Sequence, residues 1–126
     1  MLFKNLLLID DDEDDQDIFL TAAKEVSDTV NCIAFLDATE ALKKLEVKDI
    51  IPDVIFLDLN MPVMNGQQFL VEIKKKADLK NIPVVIFSTS SNRNTIQLMK
   101  EFGAYDFITK PDRYDQLINI LKPLLT

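Results

Sequence analysis

Short unbroken apolar runs alternate with amphipathic stretches along the whole chain, and this alternation limits the fold more than any other feature. Leu6 to Ile9, Val54 to Leu57 and Val84 to Phe87 are continuously apolar. They are too short for buried helices and suit parallel strands covered on both faces. Val30 to Leu36 and Phe107 to Thr109 are weaker runs of the same kind. Between them lie helical patterns. Ile18, Ala22 and Val26 recur at one-turn spacing, and Ala38, Ala41, Leu42 and Leu45 form a stripe behind Asp37 or Thr39 as N-cap. Phe69, Leu70 and Ile73 mark a third helix, with Lys74 to Lys76 on its wet face. Leu98, Met99 and Phe102 mark a fourth, which Gly103 is placed to end. Leu117, Ile120, Leu121 and Leu124 mark a fifth, which Pro123 is expected to kink or fray. Strand followed by helix, repeated along the chain, predicts an α/β fold with a parallel sheet and helices on both faces.

Composition narrows the function. The length of 126 residues fits one domain, 1–126, with no output domain expected after the fifth helix. A net charge of −7 argues against nucleic acid as a partner. No apolar stretch reaches the ~20 residues of a membrane span. The N-terminus runs from a short apolar segment straight into acids, unlike a signal peptide, so cytoplasm is the expected location. The single cysteine, Cys32, is expected to pack as a small apolar residue. The chain has no histidine, which removes the commonest general base and transition-metal ligand. Any metal should be a hard ion held by oxygen.

In open α/β sheets, sites form beyond the carboxyl ends of the strands. The first strand delivers Asp10 and Asp11 there, followed by Asp12; the third delivers Asp58; the fourth Ser88 and Thr89; the fifth Lys110, followed by Pro111. Singly, such residues cap helices, form turns or carry surface charge. Gathered at one edge, three carboxylates would attract a divalent cation. Asp58 is then a candidate acceptor of a phosphoryl group, with Lys110 and Ser88 placed to contact its oxygens. Glu13, Asp14, Asp15 and Asp17 crowd the start of the first helix, where acids favour the dipole, and read as solvated. Only Asp12 of that group reads as near the site.

The segments LLLIDDDEDD, PDVIFLDLNMPVMNG, IPVVIFSTSS and GAYDFITKP, in this order and spacing, resemble the receiver domain of response regulators in bacterial two-component systems. The resemblance covers essentially the whole chain. It implies a flavodoxin-like doubly wound sheet of five parallel strands, order 2-1-3-4-5, with five helices. It implies Asp58 as phosphoacceptor, Asp10 and Asp11 as the acidic pair around Mg²⁺ (Mn²⁺ being accommodated too), and Asn60 as a metal ligand through its backbone carbonyl. Ser88 and Lys110 resemble the family's phosphoryl-binding hydroxyl and lysine, with the Lys110–Pro111 bond expected cis. Phe107 takes the place of the switch aromatic, often Tyr, and lacks its hydroxyl. Thr89 stands where Ala or Gly is frequent, a bulk expected to restrict small phosphodonors.

The implied function is that of a single-domain response regulator. A sensor histidine kinase or histidine phosphotransfer protein would donate the phosphoryl group. The roughly one to two added negative charges would alter the face that a separate protein target reads. The chain would catalyse only its own phosphorylation and dephosphorylation, as a monomer or a phosphorylation-dependent homodimer. Three rival readings differ in class. A phosphatase of the haloacid dehalogenase type needs a second Asp where this chain has Asn60. A flavodoxin needs a hydroxyl-rich phosphate loop where this chain has acids. A receiver-like module that binds partners without phosphorylation is the remaining alternative.

Overall fold

A computed structural model describes residues 2–90 and 92–126. Its elements alternate in the order β1 (Asn5–Ile9), α1 (Glu13–Val26), β2 (Asn31–Phe35), α2 (Ala38–Glu46), β3 (Val54–Leu57), α3 (Gly66–Lys74), β4 (Val84–Ser88), α4 (Arg93–Glu101), β5 (Asp106–Thr109) and α5 (Tyr114–Leu125). The strands form one parallel sheet in the order β2-β1-β3-β4-β5, the order that the resemblance implies.

Each central strand carries an unbroken apolar run because it feeds two cores. Leu7, Ile9, Ile55, Leu57, Val84 and Ile86 face α2, α3 and α4, where Leu42, Leu45, Phe69, Leu70, Ile73 and Met99 complete one cluster. Their strand neighbours Leu6, Leu8, Val54, Phe56, Val85 and Phe87 face α1 and α5, against Phe19, Ala22, Ala23, Leu117, Leu121 and Leu125. The alternation of side chains along a strand divides these residues between the two faces. On the α1 side Phe19 packs at 4.9 Å from Phe56 and 5.5 Å from Phe87, ring centre to ring centre. This aromatic group fixes α1 to the ends of β3 and β4.

Helix starts follow local chemistry. Asp12 and Asp37 cap α1 and α2 by accepting from the backbone N–H groups of Asp15 and Thr39. Asn65 and Gln68 form a reciprocal capping box at α3. Gly103, with φ +99°, follows the C-cap of α4, a backbone conformation that favours glycine.

Several expectations change. Ile18 is 48% exposed, and the buried stripe of α1 is Gln16, Phe19, Ala22 and Ala23. Of the predicted stripe, Ala22 is buried and Val26 packs against the core, and only Ile18 turns outward, polar Gln16 facing inward in its place. Lys74 is half-buried at the end of α3 rather than on its wet face, and its ammonium donates to the Lys80 carbonyl at 2.9 Å. Helix α5 continues through Pro123 to Leu125. The carbonyl that Pro123 leaves without a donor belongs to exposed Asn119, while Leu121 and Leu125 are buried and hold the last turn. Cys32 is half-buried among apolar neighbours, and burial pushes its thiol up to about 12.

Val63, in the loop between β3 and α3, has φ +66° and is 89% exposed. A β-branched residue is strained there, and little burial offsets the strain. Val63→Asn should therefore raise unfolding stability by about 1 kcal/mol, seen as a higher urea midpoint at unchanged m-value. A lowered midpoint would show that Val63 makes a stabilising contact that outweighs its backbone.

Candidate functional site

The carboxyl ends of β1, β3, β4 and β5 converge on one edge of the sheet. Asp10 and Asp58 follow directly on β1 and β3, and both are buried, at 1% and 7% exposure. Exposed Asp11 lies beside them. One carboxylate oxygen from each of Asp10, Asp11 and Asp58 lies within 4.8 Å of the other two. Asp10 Oδ1 accepts from the Asp12 N–H at 3.0 Å, and Asp58 Oδ1 accepts from the Leu59 N–H at 2.8 Å. These bonds leave the second oxygen of each carboxylate facing the gap between the strands.

Lys110 fills that gap from β5. Its Nζ lies 2.7 Å from Asp10 Oδ2, 2.8 Å from Asp15 Oδ2 and 3.6 Å from Asp58 Oδ2. It also stands 5.8 Å from the centre of the Phe87 ring. Burial pushes Asp10 above its ordinary value, and the bonds from Lys110 and the Asp12 N–H recover only part of that cost. For Lys110, burial alone would lower the ammonium, but the hydrogen bonds to Asp10 and Asp15 and the charge on Asp58 outweigh it and hold it above its ordinary value. Lys110 therefore stays charged through the neutral range. Its share of stability is lost only as pH rises through that elevated value.

Ser88 is fully buried at the end of β4, and its Oγ accepts from the Ser90 N–H at 3.3 Å. Asn60 is exposed just beyond Asp58, with its side chain 3.3 Å from Ser90 Oγ. Thr89 is exposed beside them. Phe107 is half-buried on β5, packed against the α2, α3 and α4 core. The sheet thus brings Asp10, Asp11, Asp58 and Lys110 together, places Ser88 and Asn60 at the same rim, and leaves Phe107 on β5 within the neighbouring packing.

Two expectations are corrected here. Asp15, read as solvated, reaches Lys110, while Asp12 is at the site as read: it caps α1 and its N–H donates to Asp10 Oδ1. Helical spacing carried the signal, because Asp15 stands one turn before buried Phe19 and so shares its inward face. The Lys110–Pro111 peptide is not cis, since no cis peptide occurs among the described residues. The two isomers of such a bond differ by only ~0.5–1 kcal/mol, so the dipeptide alone does not fix the choice.

Two supporting residues were also missed. Gln16 is buried and donates through Nε2 to the Asp10 and Phe35 carbonyls at 2.9 Å each, tying α1 to the ends of β1 and β2. Gly66 opens α3 against the strand that carries the acceptor candidate. A Cβ there would stand 2.3 Å from the Asp58 carbonyl oxygen and 2.8 Å from Leu59 Cα.

The donor set fits a divalent cation of the hard kind. It offers only oxygen, with two buried carboxylates and an exposed third that leaves room for water. Lys110 is one positive charge set among four carboxylates, so the cluster stays net negative.

A family model for the response regulator receiver domain matches residues 6–122. The sensor histidine kinase CheAY of Helicobacter pylori is 32% identical over 120 residues, 93% of this chain but 14% of that protein. The crystal structure of the phosphorylated cyanobacterial phytochrome response regulator RcpA aligns with a TM-score of 0.87 at 32% identity, covering 95% of this chain and 89% of that one. The Mn²⁺-bound form of response regulator Rcp1 aligns with a TM-score of 0.80 at 30% identity, covering 95% and 90%. The chain spans between 14% and 30% of the first four curated relatives it matches, a kinase and three methylesterases. Their enzymatic activities are those of much longer proteins.

Two outcomes follow from this geometry. A divalent cation that binds only the folded cluster should raise the melting temperature; at ten times its dissociation constant the gain is about 1.4 kcal/mol, or roughly 5 °C. Differential scanning fluorimetry with and without EDTA checks this, and Asp58→Asn should reduce the shift. Gly66→Ala should displace the Asp58 backbone and weaken the same shift, whereas unchanged cation binding would show that the α3 start can move aside.

Proposed function

The chain belongs to the response-regulator receiver domain family, and from that premise we propose that Asp58 accepts a phosphoryl group from a phosphohistidine donor in a Mg²⁺-dependent reaction. The observation that carries the reading is the placement of buried Asp58 beside Asp10, Asp11 and Lys110. Two-component systems use receiver domains as response regulators, with a histidine kinase or phosphotransfer protein upstream. A separate protein target downstream is part of the same reading.

The chain's own groups account for the chemistry as follows. The Leu59 N–H holds Asp58 Oδ1 and fixes the plane of the carboxylate. Oδ2, facing Lys110, attacks phosphorus; the P–O bond forms as the P–N bond to the donor imidazole breaks, and the imidazole keeps the electron pair. Asp10, Asp11, Asp58 and the Asn60 carbonyl would hold Mg²⁺, which when bound would supply positive charge toward the phosphoryl oxygens. Lys110 leaves its present carboxylates in part to pair with another of those oxygens. Ser88, whose oxygen now accepts from the Ser90 N–H, turns its hydroxyl toward a third. Its vacated space lets Phe107 repack inward, so the face made by α4, β5 and α5 changes. Phe107 has no hydroxyl, so this readout rests on packing alone.

Transfer from a ³²P-labelled histidine phosphotransfer protein tests the reading. Wild type should take the label in Mg²⁺ and not in EDTA, and borohydride reduction, which releases the labelled phosphate, should convert Asp58 to homoserine. Lys110→Met should slow uptake by roughly a hundredfold, as loss of a preorganised charge contact does. A label that survives Asp58→Asn, or uptake unaffected by EDTA, would contradict the assignment. Binding to a partner with no uptake from any phosphohistidine donor would favour the phosphorylation-independent module instead.

A further inference from the structure

Asp15 is the one carboxylate on Lys110 that the acceptor chemistry does not use. Its Oδ2 is 2.8 Å from Lys110 Nζ, almost as close as Asp10 Oδ2 at 2.7 Å and nearer than Asp58 Oδ2 at 3.6 Å. The side chain of Asp15 is 38% exposed, against 2% for Asp10 and 10% for Lys110. Asp10 and Asp58 also belong to the three-carboxylate cluster, and Asp15 does not. Lys110 therefore has three anionic partners among the described residues, two of which a divalent cation would engage.

Such a cation and the ammonium repel each other and compete for the same oxygens. Lys110 cannot withdraw far along its own axis. It is anchored at the end of β5, where its N–H donates to the Ser88 carbonyl at 2.8 Å, and its head is flanked by the Phe87 ring. The remaining counter-charge within reach is Asp15, on α1, held inward by the packing of Phe19 one turn later. We propose that Asp15 is a positioning residue for Lys110: it holds the ammonium on the α1 side of the site when a divalent cation engages Asp10 and Asp58, and so strengthens cation binding. This inference rests on the cation reading of the cluster. It gives Lys110 two stations, one shared with Asp10 and one held by Asp15 alone, from which a phosphoryl oxygen can recruit it.

A general electrostatic effect predicts something different. Asp14, the neighbouring residue, is exposed and makes no ion pair among the described residues, so Asp14→Asn removes the same charge without touching Lys110. Calorimetric titration with Mg²⁺ of the folded chain separates the two. Asp15→Asn should raise the dissociation constant about two- to fivefold, the range of a partly exposed ion pair. Asp14→Asn should raise it less than about twofold, as a screened surface charge does. Asp15→Glu should fall between wild type and Asp15→Asn. In a Lys110→Met background, Asp15→Asn should have no more effect than Asp14→Asn, because its action runs through the ammonium. Circular dichroism melts verify that each variant is folded. Equal effects of Asp15→Asn and Asp14→Asn, or an Asp15→Asn effect that persists without Lys110, would overturn the inference while leaving the cation site intact. No heat and no melting shift with wild type would overturn the cation reading itself, and this inference with it.

Discussion

The Lys110 ammonium, shared by Asp10, Asp15 and Asp58 at the edge of the sheet, is the interaction around which the site is arranged. Two unit negative charges at about 4.8 Å repel by on the order of 3 kcal/mol at an effective dielectric near 20. Asp10 and Asp58 are both buried, so water does little to relieve that repulsion. A lysine carried by the last strand offsets part of it. The remainder is the driving force for a divalent cation, because the acids still outnumber the base.

The rest of the fold supplies rigidity for that arrangement. Parallel strands buried on both faces point their carboxyl ends one way, so residues as distant in sequence as Asp10 and Lys110 meet. The Phe19, Phe56 and Phe87 group locks α1 against β3 and β4, which brings Asp15 inward. Gln16 ties the same helix to the ends of β1 and β2, and Gly66 lets α3 begin against the Asp58 backbone. Packing and electrostatics are therefore coupled: loosening α1 would release a counter-charge as well as a hydrophobic contact.

The fold was legible because its signal is collective. Apolar runs such as Val54–Leu57 admit few alternatives to a doubly covered strand, and the strand ends deliver polar residues to one edge. Asp10, Asp11, Asp58 and Lys110 were legible for the same reason. What escaped depends on facing and on local detail. The start of α1 is so acidic that charge pattern alone does not say which acid turns inward; buried Phe19 does. Ile18 looked like a core residue and is exposed because Gln16 takes the inward position. Pro123 was expected to kink or fray α5 near its end, and the helix runs through it to Leu125 because the carbonyl it leaves without a donor is at the surface. The Lys110–Pro111 isomer rests on a free-energy difference too small to read from a dipeptide.

The most direct measurement is intact mass followed by peptide mapping after incubation with a phosphorylated histidine phosphotransfer protein and Mg²⁺. The account predicts a gain of one phosphoryl group on the peptide containing Asp58, absent with EDTA and absent in Asp58→Asn. An equal gain in Asp58→Asn, or a wild-type chain that stays unmodified with Mg²⁺ bound, would contradict it.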